Sequence, residues 1–201
     1  MQPTTYVRRL AAAGAGAVTI TLLAVPATAA PVAGTGHGTY ARLHPLADLS
    51  AQRLATADLV AAAKRGTGSP VDDPVREQQV LDSVARQARE TGDDPGATVR
   101  IFRDQIEANK QVQRALHGLW DTDPSAAPKE RPDLEQVREE INRVNTDLVH
   151  AIAHSPAARA APSCAAALTA AERHVRRERH LDGVHATALT HALRAVCTTG
   201  L

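Results

Sequence analysis

LADLSAQRLATADLVAAAK, residues 46–64, places two cations among apolar side chains at helical spacing. Steps of three and four residues put six side chains on one face of a helix, namely Leu46, Leu49, Arg53, Ala57, Val60 and Lys64. Arg53 and Lys64 therefore point towards the same interior as the two leucines. A charge on a core-facing position is costly unless a counter-charge meets it. The stretch predicts a helix that contributes cations to a polar pocket.

Two further segments carry polar side chains on an apolar helical face. Asn109 and Gln113 continue a face that begins with Phe102 and Ile106. Farther along, Leu134, Ile141, Leu148 and Ile152 form an apolar face. Arg138 and Asn145 interrupt this face. Three helices with inward cations and amides predict a polar pocket inside a helical bundle, shaped for a small anion.

The rest of the chain predicts an all-α bundle of about six helices without strands. Alanine, leucine, arginine and glutamate dominate, and runs of β-branched residues are absent. Asp-Pro pairs at 73–74 and 94–95 mark two helix starts, and Asp133 and Ser163 mark two more. The predicted helices cover about 42–65, 73–90, 94–119, 133–155, a segment that starts after Ser163, and a last segment after Asp182-Gly183 that contains Cys197, with a proline-rich linker at 121–132.

The N-terminus has the pattern of a secretory signal peptide. Arg8 and Arg9 precede an uncharged, largely apolar run at 10–25, and small residues follow at 27–29. The run is short and rich in glycine and alanine, which argues against a membrane anchor, while the paired arginines leave twin-arginine export open. We expect cleavage after Ala29 and a secreted or periplasmic protein that has no membrane span once the signal is removed.

Cleavage would leave 172 of the 201 residues, enough for one domain with a core. That mature chain carries 21 basic and 22 acidic residues, so its charge gives no case for nucleic-acid binding. Cys164 and Cys197 are the only cysteines, and in an exported chain they most simply form one disulfide, with metal ligation the less favoured alternative. We expect a signal peptide at 1–29, a flexible leader at 30–40 and a helical domain at 41–201.

The ordered polar residues resemble the motif of the all-helical chorismate mutase family. The matching segments are Gln52-Arg53-Leu54, Lys64, Asp73-x-x-Arg76-Glu77, Arg100-Ile101-Phe102 and Asn109-x-x-x-Gln113. Other segments resemble the exported members in particular, namely Pro132-Asp133-Leu134 with Arg138, Pro162-Ser163-Cys164-Ala165-Ala166, and Arg179-His180-Leu181-Asp182. The resemblance covers residues 43–197.

The resemblance implies that the protein converts chorismate to prephenate, an intramolecular Claisen rearrangement in the shikimate pathway of aromatic amino acid biosynthesis. It also implies an enzyme without a cofactor, a homodimer, and one active site per chain within about 43–140. Residues 141–201 would complete the bundle and carry the disulfide. Arg138 matches an arginine that comes from the same chain in exported members and from the partner chain in compact dimeric relatives.

The residue types suit this reaction. Chorismate has two carboxylates, and the guanidinium groups of Arg53 and Arg138 can each hold one. Lys64 and Gln113 are the expected donors to the breaking ether oxygen, where negative charge develops. Glu77 is expected to accept a hydrogen bond from the ring hydroxyl, and the backbone around Asp73 and Arg76, at a helix N-terminus, is expected to assist. Asn109 is expected to contact a substrate carboxylate.

Each of these residues also has an ordinary structural explanation, such as a cap or a buried amide network. The alternative function is a secreted helical bundle that binds a small carboxylate or a protein partner without turnover. The histidines favour no metal site, because His150 and His154 are four residues apart without an evident third ligand. A surface or packing role is expected for these and for the C-terminal group His174, His180, His185 and His191.

Overall fold

The computed structural model describes residues 34–198, with side chains from His37 onwards, and folds them into seven α-helices without a strand. The all-α prediction is confirmed for this part of the chain, whereas the predicted signal peptide and its cleavage point lie outside the described residues. The helices are α1 (Gly34–Lys64), α2 (Pro74–Glu90), α3 (Pro95–Thr122), α4 (Leu134–Ala153), α5 (Pro156–Ala160), α6 (Cys164–Glu178) and α7 (Gly183–Ala192), with a 3₁₀ turn at Pro124–Ala126 between α3 and α4.

Aspartate caps begin α2, α3 and α4 at the positions that the sequence predicts. The side chain of Asp73 accepts a hydrogen bond from the backbone of Arg76, and Asp94 and Asp133 cap the next two helices in the same way. Proline follows at the first position of α2 and α3, where a missing N–H costs nothing. Local chemistry alone therefore places three helix starts.

The beginning of α1 differs from the prediction. The helix starts at Gly34, so residues 34–40, predicted as part of a flexible leader, are helical. Tertiary contacts explain the difference, because Thr39 is buried and accepts a hydrogen bond from Ser163 at the start of α6, and Tyr40 packs on the core. Packing outweighs the weak helix propensity of the glycines in this segment.

The C-terminal segment also differs from the prediction. The last helix ends at Ala192, and Cys197 lies beyond it rather than within it. Tertiary hydrogen bonds hold the segment after α7, since Asp104 accepts from the backbone of Ala195 at 3.0 Å and the carbonyl of Arg159 accepts from the backbone of Thr198 at 3.0 Å. The short helix α5, which precedes α6, was not predicted.

Helix α1 is the centre of the bundle and contacts α3, α4, α5, α6 and α7. Its leucines meet apolar side chains of the surrounding helices in one core, and the largest fully buried members include Leu43, Leu46, Leu54, Phe102, Leu148, Ile152 and Leu189. Each such side chain contributes roughly 1.5–3 kcal/mol by leaving water. No helix between Gly34 and Thr198 has the length and hydropathy that a membrane span requires.

A buried polar contact crosses this core beside the predicted cations. The Nε2 of Gln105 on α3 donates to Ser50 Oγ on α1 at 2.7 Å and to the carbonyl of Ala192 at 3.1 Å. Buried amides are stable only when such partners are present. The backbone carbonyl of Gln105 accepts from Arg53, so this contact is linked to the predicted cation.

Cys164 and Cys197 form the predicted disulfide, with Cα atoms 5.9 Å apart. The bond ties the first residue of α6 to the segment that follows α7. We expect the double variant Cys164→Ala/Cys197→Ala to lose about 3–4 kcal/mol of unfolding free energy, because the unfolded chain regains the freedom of a long loop. Urea denaturation of the double variant and the wild type measures this loss, and a second comparison denatures the wild type with and without a reductant. If the wild-type protein had the same midpoint in both conditions, the disulfide would not stabilise the fold.

Candidate active site

A cleft between α1, α2, α3 and α4 has a cavity volume of about 100 Å³. All eight residues predicted from the sequence to bind the substrate line it, namely Arg53, Lys64, Asp73, Arg76, Glu77, Asn109, Gln113 and Arg138. Apolar side chains, including Val60, Val80 and Ile106, form the rest of the wall together with Lys110. The bundle thus brings together residues that are spread over 86 positions of the sequence, from 53 to 138.

Arg53 lies at the bottom of this arrangement, only 5% exposed. Its Nε donates to Asn145 Oδ1 at 2.9 Å, and one Nη donates to the carbonyl of Gln105 at 2.8 Å. Both acceptors are neutral, and no carboxylate within residues 37–198 forms an ion pair with Arg53. Burial lowers the pKa of Arg53 to about 10, so the group is still a cation at neutral pH. A buried cation whose protein partners are all neutral is suited to an anionic ligand.

Lys64, the last residue of α1, is held at the rim of the cleft by backbone carbonyls. Its Nζ donates to the carbonyl of Pro70 at 2.8 Å and to that of Val71 at 3.3 Å. An ammonium has three donors, so one remains for a ligand. Burial lowers the pKa of Lys64, and the nearby Arg138 lowers it further, while Asp73 acts in the opposite direction.

Two amides extend from Arg53 along α3 in a defined direction. The backbone carbonyl of Arg53 accepts from Asn109 Nδ2 at 3.3 Å, and Asn109 Oδ1 accepts from Gln113 Nε2 at 2.7 Å. Because a carbonyl can only accept, it sets the orientation of both amides. Asn109 thus orients Gln113, in keeping with the buried amide network that the sequence left as an alternative, and its expected contact with a carboxylate stays a prediction. One Nε2 hydrogen of Gln113 remains for a ligand.

The first turn of α2 provides the acidic side of the cleft. The N–H of Arg76 donates to Asp73 Oδ1 at 3.0 Å, and the N–H of Asp73 donates to Glu77 Oε1 at 3.2 Å. These backbone donors are used within the helix cap, so the expected help from this helix N-terminus would require them to change partners. The guanidinium of Arg76 instead reaches Asn142 Oδ1 on α4 at 3.3 Å.

Lys110 is the residue of this site that sequence reasoning missed. Its Nζ donates to both oxygens of Glu77, at 3.1 and 3.2 Å, and also pairs with Asp72 and Glu107. Burial by itself would lower the pKa of Lys110, but hydrogen bonds to these three carboxylates raise it above its ordinary value. The chain has only three lysines, and this one lies four residues after Ile106 on the same helical face. That spacing was the available signal.

Arg138 on α4 is a partly accessible cation of the cleft. About a third of its side chain is exposed, and its guanidinium pairs with Glu135 one turn earlier on the same helix. An exposed pair of this kind contributes little to stability. Arg138 can therefore exchange Glu135 for the carboxylate of a ligand at small cost.

Comparison with known sequences identifies the family of this chain. The sequence model of the family described as chorismate mutase type II matches residues 45–114. The chain is 40% identical over 167 residues to a secreted chorismate mutase of Mycolicibacterium smegmatis, which covers 82% of this chain and 92% of that protein. This chain belongs to the chorismate mutase family.

Other family members show the same relationship over most of their length. A secreted chorismate mutase of Mycobacterium tuberculosis is 36% identical over 176 residues, or 88% of each chain. The crystal structure of a chorismate mutase from Burkholderia thailandensis has 34% identity and a TM-score of 0.74, and covers 78% of this chain and 99% of that chain. These alignments are longer than the 45–114 match and include a C-terminal part of the bundle.

The Lys110 cluster predicts a measurable contribution to stability. Replacing Lys110 by Met leaves Glu77, Asp72 and Glu107 without their shared cation, and we expect a loss of about 1–2 kcal/mol because these carboxylates are partly exposed. Urea denaturation at neutral pH measures the change. Lys129→Met is the matched control, because Lys129 is exposed and makes none of these contacts. Equal midpoints for the two variants would show that the cluster does not stabilise the site.

Proposed function

We propose that the protein rearranges chorismate to prephenate in the cleft between α1, α2, α3 and α4. The observation that carries the proposal is the Arg53 guanidinium, which is buried and hydrogen-bonded to neutral acceptors in a cleft that Lys64 and Arg138 also line. Membership of the chorismate mutase family supplies the substrate whose charges match these cations. An intramolecular rearrangement requires no proton transfer, so these groups act through their charge and position.

The two arginines are assigned to the two carboxylates of the substrate. Arg53 is rigid because neutral acceptors and packing hold it, whereas Arg138 is partly exposed and paired with Glu135. We infer that Arg53 receives the first carboxylate and that Arg138 closes on the second. Holding both would bend the enolpyruvyl side chain over the ring and bring the reacting carbons into a near-attack geometry.

The donors to the breaking ether oxygen are assigned to Lys64 and Gln113. Negative charge develops on this oxygen as the bond breaks, so donors already directed at it stabilise the transition state more than the ground state. Each residue retains a hydrogen beyond those that its protein partners accept. Glu77 is assigned to the ring hydroxyl, and Lys110 positions it.

Turnover distinguishes this function from capture of a carboxylate without chemistry. We expect the purified protein to consume chorismate, measured by its ultraviolet absorbance, and expect Arg53→Ala and Lys64→Ala each to lower kcat/KM by about 10²–10³. Lys129→Ala is the control for a lost cation, and circular dichroism checks helicity. Binding of chorismate without its consumption would instead support the alternative of a secreted binding protein.

The amide at position 113 predicts the pH dependence. An amide donates at every pH, whereas Lys64 must carry its proton, and its pKa lies below the ordinary value because of burial. We therefore expect kcat/KM of the wild type to be level through neutral pH and to fall at alkaline pH. A carboxyl side chain donates only when protonated, so Gln113→Glu should confine activity to acid. Identical profiles for the two proteins would remove the ether-oxygen role of Gln113.

Export and assembly complete the proposal. The protein is exported, in keeping with two relatives that are named secreted chorismate mutases. We propose cleavage after Ala29, a helical domain that includes α1 from Gly34 onwards with its active-site part at about 43–140, and a homodimer with one site in each chain. N-terminal sequencing of the exported protein tests the cleavage point, and light scattering after gel filtration tests the dimer. A start other than Ala30, or a monomeric mass, would contradict the respective proposal.

A further inference from the structure

A group of metal-ligating side chains lies outside the cleft, where α6 packs on α1. His44, His174 and Glu178 each offer one ligand atom, and these atoms all lie within 4.8 Å of one another. His174 and Glu178 are one turn apart on α6, with Nε2 and Oε2 separated by 3.5 Å. His44 comes from α1, and its ring meets the ring of His174 edge-on, with centroids 5.2 Å apart.

The Nε2 atom of His44 lacks a partner that a buried ring nitrogen normally has. It is buried and has no hydrogen-bond partner within the described residues. A buried ring nitrogen without a partner costs free energy, and an ion is one of the partners that can remove this cost. The ring itself is held in place by packing, since Tyr40 lies on it with centroids 5.5 Å apart.

We propose that His44, His174 and Glu178 form a binding site for one divalent transition metal ion, for which zinc is the best-suited ion. Two imidazole nitrogens and a carboxylate oxygen are a common ligand set of zinc, whereas calcium and magnesium prefer oxygen ligands. Three protein ligands leave the fourth tetrahedral position to water. The ion would join α1 to α6.

Small side-chain movements complete the geometry. Ligand atoms about 2.0–2.1 Å from a tetrahedral zinc ion lie roughly 3.4 Å apart. The ligand atoms of this group lie up to 4.8 Å apart, so they have to move closer together. His174 and Glu178 are 50% and 59% exposed, so both can rotate towards His44 without disturbing the core. The half-buried ligand, which packing holds, and the two exposed, adjustable ligands therefore lie on different helices.

The neighbouring charges permit a cation here. Arg179 follows Glu178 in the chain, but its Nε donates to Asp48 Oδ1 at 2.6 Å, which balances its charge. Asp48 lies one turn after His44 on α1, so this carboxylate is near the ligand group. The Asp48–Arg179 pair also holds the end of α6 on α1, so the helices that would carry the ligands are already joined.

The chain contains a matched control for this proposal. His150 in the last turn of α4 and His154 just after the helix are also four residues apart and are exposed, and neither belongs to a group of three potential ligands among the described residues. A metal that requires only two exposed histidines one turn apart would bind there as well. A metal that requires the third ligand from α1 would bind only at His44, His174 and Glu178.

Zinc titration of the chelator-treated, disulfide-intact protein tests the site. We expect calorimetry to show one equivalent of Zn²⁺ bound with micromolar affinity, and Co²⁺ to give the visible absorption of a tetrahedral complex. His44→Ala and His174→Ala should weaken binding at least tenfold, and Glu178→Gln, on an exposed side chain, should do so without risk to folding. His150→Ala/His154→Ala should bind as the wild type does.

Two results would overturn the proposal. One is the lack of saturable binding near one equivalent, and the other is binding that survives His44→Ala but is lost in the His150→Ala/His154→Ala control. Chorismate consumption by Glu178→Gln should equal that of the wild type, because the group lies outside the catalytic cleft. A loss of turnover in this variant would show that the residue serves the active site, and would contradict a separate metal site.

Discussion

The structure of the site depends on the hydrogen bonds that hold the buried guanidinium of Arg53. It is a cation in the interior of a small helical bundle, and its protein partners are the amide of Asn145 and the backbone of Gln105. A carboxylate partner would have stabilised the fold but would also have neutralised the site. Neutral acceptors keep the group oriented and leave its charge for a ligand. Burying this cation without a counter-charge costs free energy, which the apolar packing of the surrounding helices has to offset.

Polar contacts connect this buried cation with the core. Gln105 links Ser50 to the end of α7 and, through its backbone, accepts from Arg53, so the core contact and the site are connected. On the other wall, Lys110 gathers acidic side chains and leaves Glu77 facing the cleft. The cleft thus has a cationic side, where Arg53 has no carboxylate partner, and an acidic side, where Lys110 pairs with Glu77. A substrate with two carboxylates and a hydroxyl matches this division.

The sequence predicted those features that depend on neighbouring residues. The caps at Asp73, Asp94 and Asp133 are local, and all three mark the helix starts found in the structure. Helical spacing gave the inward faces of Arg53, Lys64, Asn109, Gln113 and Arg138, and the family resemblance added Asp73, Arg76 and Glu77; all eight line one cleft. Where distant contacts dominate, the prediction was wrong, as at the start of α1, which the packing of Thr39 extends, and at Cys197, which lies beyond α7.

The sequence by itself determined most of the helices, the helix faces on which the cations lie and the pairing of the only two cysteines, because spacing, capping and residue counts carry this information along the chain. Only the tertiary structure decided which distant groups meet. It placed Lys110 on Glu77, Gln105 between Ser50 and the end of α7, and His44 beside His174. Periodicity gives the face of a helix on which a side chain lies. The partner across the interface follows from how whole helices pack, which no local pattern encodes.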